Sequence, residues 1–448
     1  MSEPFDQSEL QAKAEALVRA AQAAGADTAD AVALRSVSLA VEVRLGKVEE
    51  TERAEEDSIG LRVFVGKRPA TVSTNMASDP VALAERAVAM ARVAPEDAYA
   101  GLADPERLVR DIADLDLVDN VAPNAQSLTE AALAAEEAAL AVAGVSNSGG
   151  ASASWRLGGL VLVTSTGFSG QYLASGHGIS ATALAGTGTG MERDYDYSSA
   201  RHRGDLADAA SIGRQAGERA VKRLNPRKVQ SQTATVVFEP RSAGSLISHL
   251  ASAANGASVA RGTSFLKDRR GEKVFRDGIT IVDDPLRKRG LRSAPFDGEG
   301  LSGGAMELVS DGVLAEWLLD TATARELGLA SNGRARRGTG GAPSPASTNL
   351  HLKPGRRSPA EIISEITSGL YVTDLIGHGV DLVTGDYSRG VAGFWIENGE
   401  IAYPVSEITV ASNLAEMFAR LEPANDLTFR YGVDAPTIAI EGMTIAGQ

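Results

Sequence analysis

The sequence feature that most constrains the fold is the alternation of short β-type runs with glycine-rich turns from residue 233 onward. β-type runs such as "TATVVFEP" (233–240) alternate with turns such as "FDGEG" and "SDGVL", and "ENG" (397–399) predicts a hairpin turn between two strands. Helical periodicity in this part is confined to three stretches, at about 241–255, 321–328 and 358–369. The pattern predicts a mostly antiparallel β-rich domain with attached helices over residues 231–448.

The first part of the chain, residues 1–110, alternates helical and β-type patterns. Residues 8–24 have the period of an amphipathic helix, and a second helix is predicted over 79–94, with Asp79 as its N-cap. The stretch between them contains an alternating strand and a hairpin that turns at Gly66-Lys67. This order predicts an α+β layer domain.

A middle α+β region is predicted over residues 111–230. Its N-terminal helix is expected to open with a capping box, in which Ser127 and Glu130 satisfy each other's backbone donors. The following β-rich block contains Gly158-Gly159, which is typical of a hairpin turn. The predicted elements are a helix at 127–144, strands within 151–198 and a helix at 206–224.

Composition excludes several classes of function. The 448 residues carry a formal charge of −14, which argues against a large nucleic-acid surface, since such surfaces need clustered Lys and Arg. The absence of cysteine excludes disulfides, thiolate nucleophiles and Cys metal ligands. The polar N-terminus is not a signal peptide, and no run reaches the roughly 20 apolar residues of a membrane span. We expect a cytoplasmic protein with neither nucleic-acid nor membrane partners.

The stretch "GSLISHLASAANG" (244–256) is the strongest candidate for a site. It has helical periodicity, and no charged residue lies between Arg241 and Arg261. At 100° per residue, the helix has an apolar arc and an opposite side that is small and polar. The polar side consists of Ser245, Ser248, His249 and Ser252. An uncharged polar side favours close contact with another backbone, a peptide or a subunit.

His249 has three candidate roles: a catalytic base, a zinc ligand or a packed histidine. As a base for Ser248 or Ser252 it would need a third group to orient it, and the helix offers no carboxylate. As a zinc ligand it would need a second ligand on the same helix face. A packed or interface histidine is therefore favoured. The basic run "RARR" (334–337) lies within a predicted long loop at 331–348 and is interpreted as solvated.

Several long motifs resemble one known family. They include "VARGTSFLKDRRGEKVF" (259–275), "SAPFDGEG" (293–300) and "TGDYSRGVAGFWIENGEIAYPVSEITVASN" (384–413). The sequence is similar to the TldD/PmbA family, most of all to its PmbA branch, also called TldE. The resemblance implies a cytoplasmic proteolytic complex in which a TldD-type chain holds zinc on an HExxxH helix. It also implies pairing with a PmbA/TldE-type chain and trimming of small, unstructured peptides.

The resemblance also places the HExxxH slot on the helix described above. The first His of the motif matches Ser248, its Glu matches His249, and its last His matches Ala253. Serine and alanine cannot replace neutral imidazoles as zinc ligands. We therefore expect no catalytic residue, no metal and no cofactor in this chain, with zinc held by the TldD-type partner.

The resulting hypothesis is a non-catalytic PmbA/TldE-type subunit of a TldD–TldE metalloprotease. The alternatives are a peptide-binding or scaffold homodimer, an independent serine-type hydrolase, and a regulator of DNA gyrase or of antitoxin systems. Ser248, His249, Ser252 and Ala253 are predicted to form the degenerate site. Substrate or partner contacts are predicted for Arg261, Asp386, Tyr387, Ser388 and Arg389.

Overall fold

The computed structural model describes residues 5–447. Its helices are α1 (Ser8–Ala23), α2 (Pro80–Val93), α3 (Ala125–Leu140), α4 (Ala209–Lys222), α5 (Pro240–Ala253), α6 (Gly256–Ala260), α7 (Thr321–Glu326), α8 (Pro359–Ser364) and α9 (Leu414–Arg420). Its strands are β1 (Thr28–Arg44), β2 (Lys47–Val65), β3 (Arg68–Thr74), β4 (Val145–Thr164), β5 (Ser169–Ala185), β6 (Glu192–Ala200), β7 (Gln232–Phe238), β8 (Ile281–Asp284), β9 (Met306–Ser310), β10 (Val313–Leu314), β11 (Ala335–Arg336), β12 (Ser344–Pro345), β13 (Asn349–Leu352), β14 (Ser368–Ile376), β15 (Asp386–Glu397), β16 (Glu400–Asn413), β17 (Leu421–Pro423), β18 (Val433–Asp434) and β19 (Ile438–Ala446). The predicted α+β class is confirmed.

The first sheet is antiparallel and has the order β3-β2-β1-β4-β5-β6. Alternate side chains of its strands point to opposite faces, so each strand contributes side chains to the packing on both faces. One face is covered by the four helices α1 to α4, which form two separate cores with it. The two helices predicted before residue 110 are confirmed as α1 and α2, and Asp79 caps α2 by accepting from the backbone N–H of Val81.

The other face of the first sheet packs against the C-terminal part of the chain. Val32 and Leu162 of this face contact Phe296, which lies in a loop before β9. Beyond residue 231, strands β16, β15, β14, β7 and β19 form a sheet that the β16–β19 pairing closes into a barrel. A second sheet, β10-β9-β8-β13-β18, lies beside it, and α5 contacts both.

Two local predictions in the middle region are wrong. Helix α3 is capped by Asn124, whose side chain accepts from the N–H of Ser127 at 2.8 Å, so Ser127 lies inside the helix rather than at its cap. Gly158 and Gly159 lie within the continuous strand β4, and the turn comes instead after Thr164. A side chain at Gly159 would collide with Gln7, so close packing explains this glycine better than a turn does.

The loop at 331–348 is also different from the prediction of a solvated basic segment. Arg334 is 1% exposed, and its Nε donates to Asp283 at 2.5 Å. Arg337 is buried against the first sheet, where its Nη2 lies 2.7 Å from Asp30. A Cβ on Gly60 of β2 would lie 2.1 Å from the carbonyl oxygen of Thr339. The loop is therefore docked on the sheet, and glycine at position 60 permits its close approach.

Within residues 5–447, no helix is both long enough and apolar enough to cross a membrane.

Candidate functional site

The uncharged helix predicted at 241–255 is α5. It begins directly after β7, with Glu239 at the N-cap position and Pro240 at the first helical position, where proline's missing N–H costs nothing. The predicted apolar arc is entirely buried: Leu246, Ile247, Leu250, Ala251, Ala253 and Ala254 all lie in the largest core. The position of α5 is thus fixed by hydrophobic packing between the barrel and the second sheet.

The serines of the opposite side are occupied by their own helix. Ser245 donates to the carbonyl of Ser242 at 2.7 Å. Ser248 donates to that of Gly244 at 3.0 Å, and Ser252 to that of Ser248 at 2.9 Å. Within the described residues, no side-chain hydrogen bond joins Ser248 or Ser252 to His249. The geometry therefore offers no activated serine nucleophile, which needs a base within hydrogen-bond reach.

His249 packs against Tyr387 of β15. The two rings meet edge to face, with their centroids 6.1 Å apart. The Nε2 atom of His249 and the hydroxyl of Tyr387 are both buried, and neither has a hydrogen-bond partner within residues 5–447. Burial, and secondarily the charge of Arg389, lowers the pKa of His249 to about 4. The imidazole is therefore neutral at pH 7.

Strand β15 brings two of the four residues predicted at 386–389 toward α5. Tyr387 is buried, and Arg389 lies on the same side of the strand, with its Nε donating to the carbonyl of Ile376 at 3.3 Å. Asp386 and Ser388 alternate to the opposite, exposed face. There the Asp386 carboxylate accepts from Thr384 at 2.8 Å, so it organises the turn that precedes the strand.

Arg261, predicted to contact substrate or partner, does not pack against His249 or Tyr387. Its backbone N–H ends helix α6 by donating to Ala257, and its side chain is exposed. The structure thus brings together His249, Tyr387 and Arg389, while the Ser248 hydroxyl is bonded within α5. It leaves Ser252 and Arg261 on the nearby surface and turns Asp386 and Ser388 away.

The residues at the HExxxH slot do not fit a zinc ion. The Ser248 hydroxyl is bonded to a backbone carbonyl, and Ala253 has no donor atom and is 0% exposed. Zinc sites in proteins need at least three donors among His, Cys, Asp and Glu. In the part of the chain that the structure describes, no three such side chains are grouped to hold a metal ion.

A charged cluster at the start of α5 was missed by the sequence reasoning. Arg241 lies 2.9 Å from Asp194 of β6 and 3.0 Å from Glu239, and it also donates to the carbonyl of Thr373 at 3.0 Å. Glu239 accepts in addition from Arg219 of α4 at 3.0 Å. The sequence around Arg241 does not reveal this cluster, because Asp194 and Arg219 are distant from Arg241 along the chain. The cluster fixes the N-terminus of α5 against the central region.

Comparison with known proteins covers nearly the whole chain. Models of PmbA/TldA metallopeptidase domain 1, central domain and C-terminal domain match residues 29–91, 119–224 and 231–447. The metalloprotease PmbA of Escherichia coli O157:H7 is 36% identical over 94% of this chain and 93% of its own length. This chain belongs to the TldD/PmbA metallopeptidase family. The PmbA homologue of Haemophilus influenzae is also 36% identical, over 93% of this chain and 92% of its own.

Solved structures of TldD/PmbA-like proteins share the fold. A protein of Bacteroides thetaiotaomicron, described as a modulator of DNA gyrase, superposes with a TM-score of 0.90 and 27% identity over 98% of this chain and 99% of its own. TldE of Thermococcus kodakarensis superposes with a TM-score of 0.86 and 21% identity over 97% and 100% of the two chains. The TldE-like fold is therefore shown, and the resemblance inferred from the motifs is confirmed.

The low pKa of His249 in this TldD/PmbA chain gives a pH prediction. The unfolded chain binds a proton at this histidine as the pH falls through about 6.5, whereas the folded chain does so only near pH 4. Folding is therefore disfavoured progressively between those two values. The thermal midpoint of a His249→Gln variant should fall less than that of the wild type between pH 6.5 and 4.5.

The matched control is the same substitution at the exposed His378, and the decisive comparison is between the two variants. An NMR titration of the histidine rings provides the direct measurement. A His249 ring that titrates at its ordinary pKa would contradict the buried, unpartnered environment described above.

Proposed function

We propose that this chain is the non-catalytic, PmbA/TldE-type subunit of a cytoplasmic TldD–TldE zinc metalloprotease that processes small, unstructured peptides. In this proposal the TldD-type partner holds the zinc and performs hydrolysis. The observation that carries the proposal is the set of residues found at the positions of the HExxxH motif. At the three motif positions α5 has Ser248, whose hydroxyl donates to the Gly244 carbonyl, the neutral His249 and the buried Ala253.

The surface beside α5 supports a role in docking. Ser252 is exposed on the uncharged side of the helix, and two apolar side chains in the neighbouring segments are exposed as well, Ile376 at 58% and Val383 at 56%. Arg389 donates to the carbonyl of Ile376, and Arg261 is exposed at the end of α6, so both add positive charge in these segments. An uncharged, partly apolar surface with arginines in the neighbouring segments suits a protein subunit or a peptide, because both bury apolar area on binding.

The alternatives receive less support from the structure. An independent serine hydrolase lacks a serine that is hydrogen-bonded to His249 within the described residues. The description of the Bacteroides protein as a modulator of DNA gyrase belongs to that protein. The formal charge of −14 gives this chain little electrostatic attraction to DNA. A peptide-binding homodimer remains an outcome that the experiment below distinguishes.

The test is to purify the chain alone, its TldD-type partner alone and the two together. Each sample is then assayed for metal content and for digestion of an unstructured peptide by mass spectrometry. We expect no stoichiometric zinc and no cleavage from this chain alone. Cleavage is expected only in the mixture or greatly enhanced there, and it should be abolished by a chelator.

Ser252→Arg places a charge on the uncharged side of α5 and should weaken co-purification with the partner. Gln126→Arg, on the exposed side of α3, is the matched control. Zinc bound stoichiometrically to this chain, or peptide cleavage by it alone, would refute the proposal. A stable homodimer that binds peptide but gives no cleavage on mixing would support the scaffold alternative instead.

A further inference from the structure

A cavity of about 410 Å³ lies between the second face of the first sheet and the loops of the C-terminal region. None of its lining residues belongs to α5, so it is separate from the degenerate site. Its walls come from β4 and β5, from the segment after β6, and from the loops at 285–303 and 333–348. Its volume lies within the range of about 300–1,000 Å³ that is typical of small-molecule sites.

The charged residues on the cavity wall are almost all cationic. One carboxylate, Asp297, faces five guanidinium groups, those of Arg201, Arg292, Arg334, Arg336 and Arg337. Both oxygens of Asp297 are already occupied, because they accept from the backbone N–H groups of Glu299, Leu301 and Ala335 at 2.9, 2.9 and 3.1 Å. The carboxylate therefore does not neutralise the arginines through direct bonds.

Two of the five arginines are fully engaged in holding the structure. Arg334 binds Asp283 and three backbone carbonyls, and Arg201 donates to the carbonyls of Ser175, Gly290 and Leu291. Arg292 and Arg336 are different. Neither guanidinium has an ion pair or a hydrogen bond with any residue in the range 5–447. Their donors remain available at the wall.

Arg337 lines the same cavity, but its guanidinium is held by the first sheet. Its side chain is 1% exposed, and its Nη2 forms a buried ion pair with Asp30 at 2.7 Å. Arg62 donates to both oxygens of the same carboxylate. Arg337 therefore contributes positive charge near the cavity, while Arg292 and Arg336 are the arginines whose donors are available to a ligand.

Part of the cavity wall is apolar and aromatic. Phe296 meets Tyr172 edge to face, with ring centroids 5.3 Å apart, and Leu160 and Leu291 also line the cavity. Aromatic rings bury large areas of an apolar ligand and pack edge to face against other rings. The cavity thus combines arginine side chains with aromatic rings.

We propose that this cavity binds a small organic oxyanion, a carboxylate or a phosphate ester, with its apolar body against Tyr172 and Phe296. Guanidinium groups present paired N–H donors in the geometry that both oxyanions accept, and such charge-assisted bonds are stronger than neutral ones. The anion lies between Arg292 and Arg336.

The test is calorimetric titration of the full-length chain with four probes: phenylpropionate, its neutral amide, phenyl phosphate and inorganic phosphate. We expect phenylpropionate or phenyl phosphate to bind and the amide to bind at least tenfold more weakly, since it lacks the charge. A preference for the carboxylate or for the ester identifies which oxyanion the site takes. Inorganic phosphate should bind more weakly than phenyl phosphate.

Arg292→Gln and Arg336→Gln should each weaken binding of the preferred probe by about tenfold or more. Neither residue has an ion pair to lose, so both variants should fold, and thermal unfolding checks that they do. Arg86→Gln, on the exposed side of α2, is the matched control and should bind like the wild type. The proposal is overturned if no probe binds, if the amide binds as tightly as the acid, or if the two wall variants bind like the control.

Discussion

Replacement of Arg241 with methionine is expected to lower the free energy of unfolding by about 3 kcal/mol. The Arg241 side chain is 7% exposed and lies between the carboxylates of Asp194 and Glu239. Methionine preserves much of the volume but leaves two buried carboxylates with one cation fewer. Losses of about 3–5 kcal/mol are typical when one partner of a buried ion pair is removed. The lower end is expected because Arg219 and Arg223 remain beside the carboxylates.

Equilibrium urea unfolding measures this effect, and fluorescence of the buried Trp395 reports on the barrel core. Arg19→Met is the matched control, because Arg19 is paired with Glu15 at 3.5 Å on the exposed side of α1. Exposed pairs of this kind contribute about 0.5 kcal/mol or less. If the two variants were equally stable, the cluster at the start of α5 would not anchor the helix.

Ala253→His is expected to destabilise the chain by about 2–6 kcal/mol. Ala253 is 0% exposed in the largest core, so an added imidazole overpacks it, at a cost of about 1–3 kcal/mol. The ring would also bury polar nitrogens without partners, which costs a similar amount. Ser252→His, one residue earlier and exposed, should change the stability by about 0.5 kcal/mol or less.

The same pair of variants tests the relation of α5 to a zinc helix. Addition of zinc should restore no stability to Ala253→His, because His249, one helical turn earlier, is at most a second donor and Ala253 lies in an apolar core. A well-folded Ala253→His variant that gained zinc affinity would contradict the packing of α5 described above. Thermal unfolding with and without zinc provides the measurement.

Local patterns predicted the elements of this chain better than its long-range contacts. The period of α1, the Asp79 cap of α2 and the Asn398-Gly399 turn between β15 and β16 follow from neighbouring residues, and all three are confirmed. The capping box at Ser127 failed because Asn124, three residues earlier, is an equally good cap and has the extended backbone that a cap needs. Sequence spacing alone did not choose between them.

In the candidate site, too, local patterns were predictable and long-range contacts were not. The two sides of α5 were predictable, since burial follows the helical period. The contact between His249 and Tyr387 was not, because it depends on how β15 packs against the helix. The burial of Arg334 and Arg337 was missed for a related reason: "RARR" reads as a solvated run until Asp283 and Asp30 are brought beside it by the fold. Such pairs join distant parts of the sequence.

The docking of the loop at 331–348 on the first sheet has a consequence for biosynthesis. Chains leave the ribosome from the N-terminus, and early regions generally fold first. Asp30 and Arg62 are synthesised long before Arg337, so a first sheet that forms during synthesis has the face that carries Asp30 uncovered and this carboxylate paired with Arg62 alone. Completion of that face waits for the late loop. The interval before release is thus when the nascent sheet is most exposed to aggregation and to chaperones.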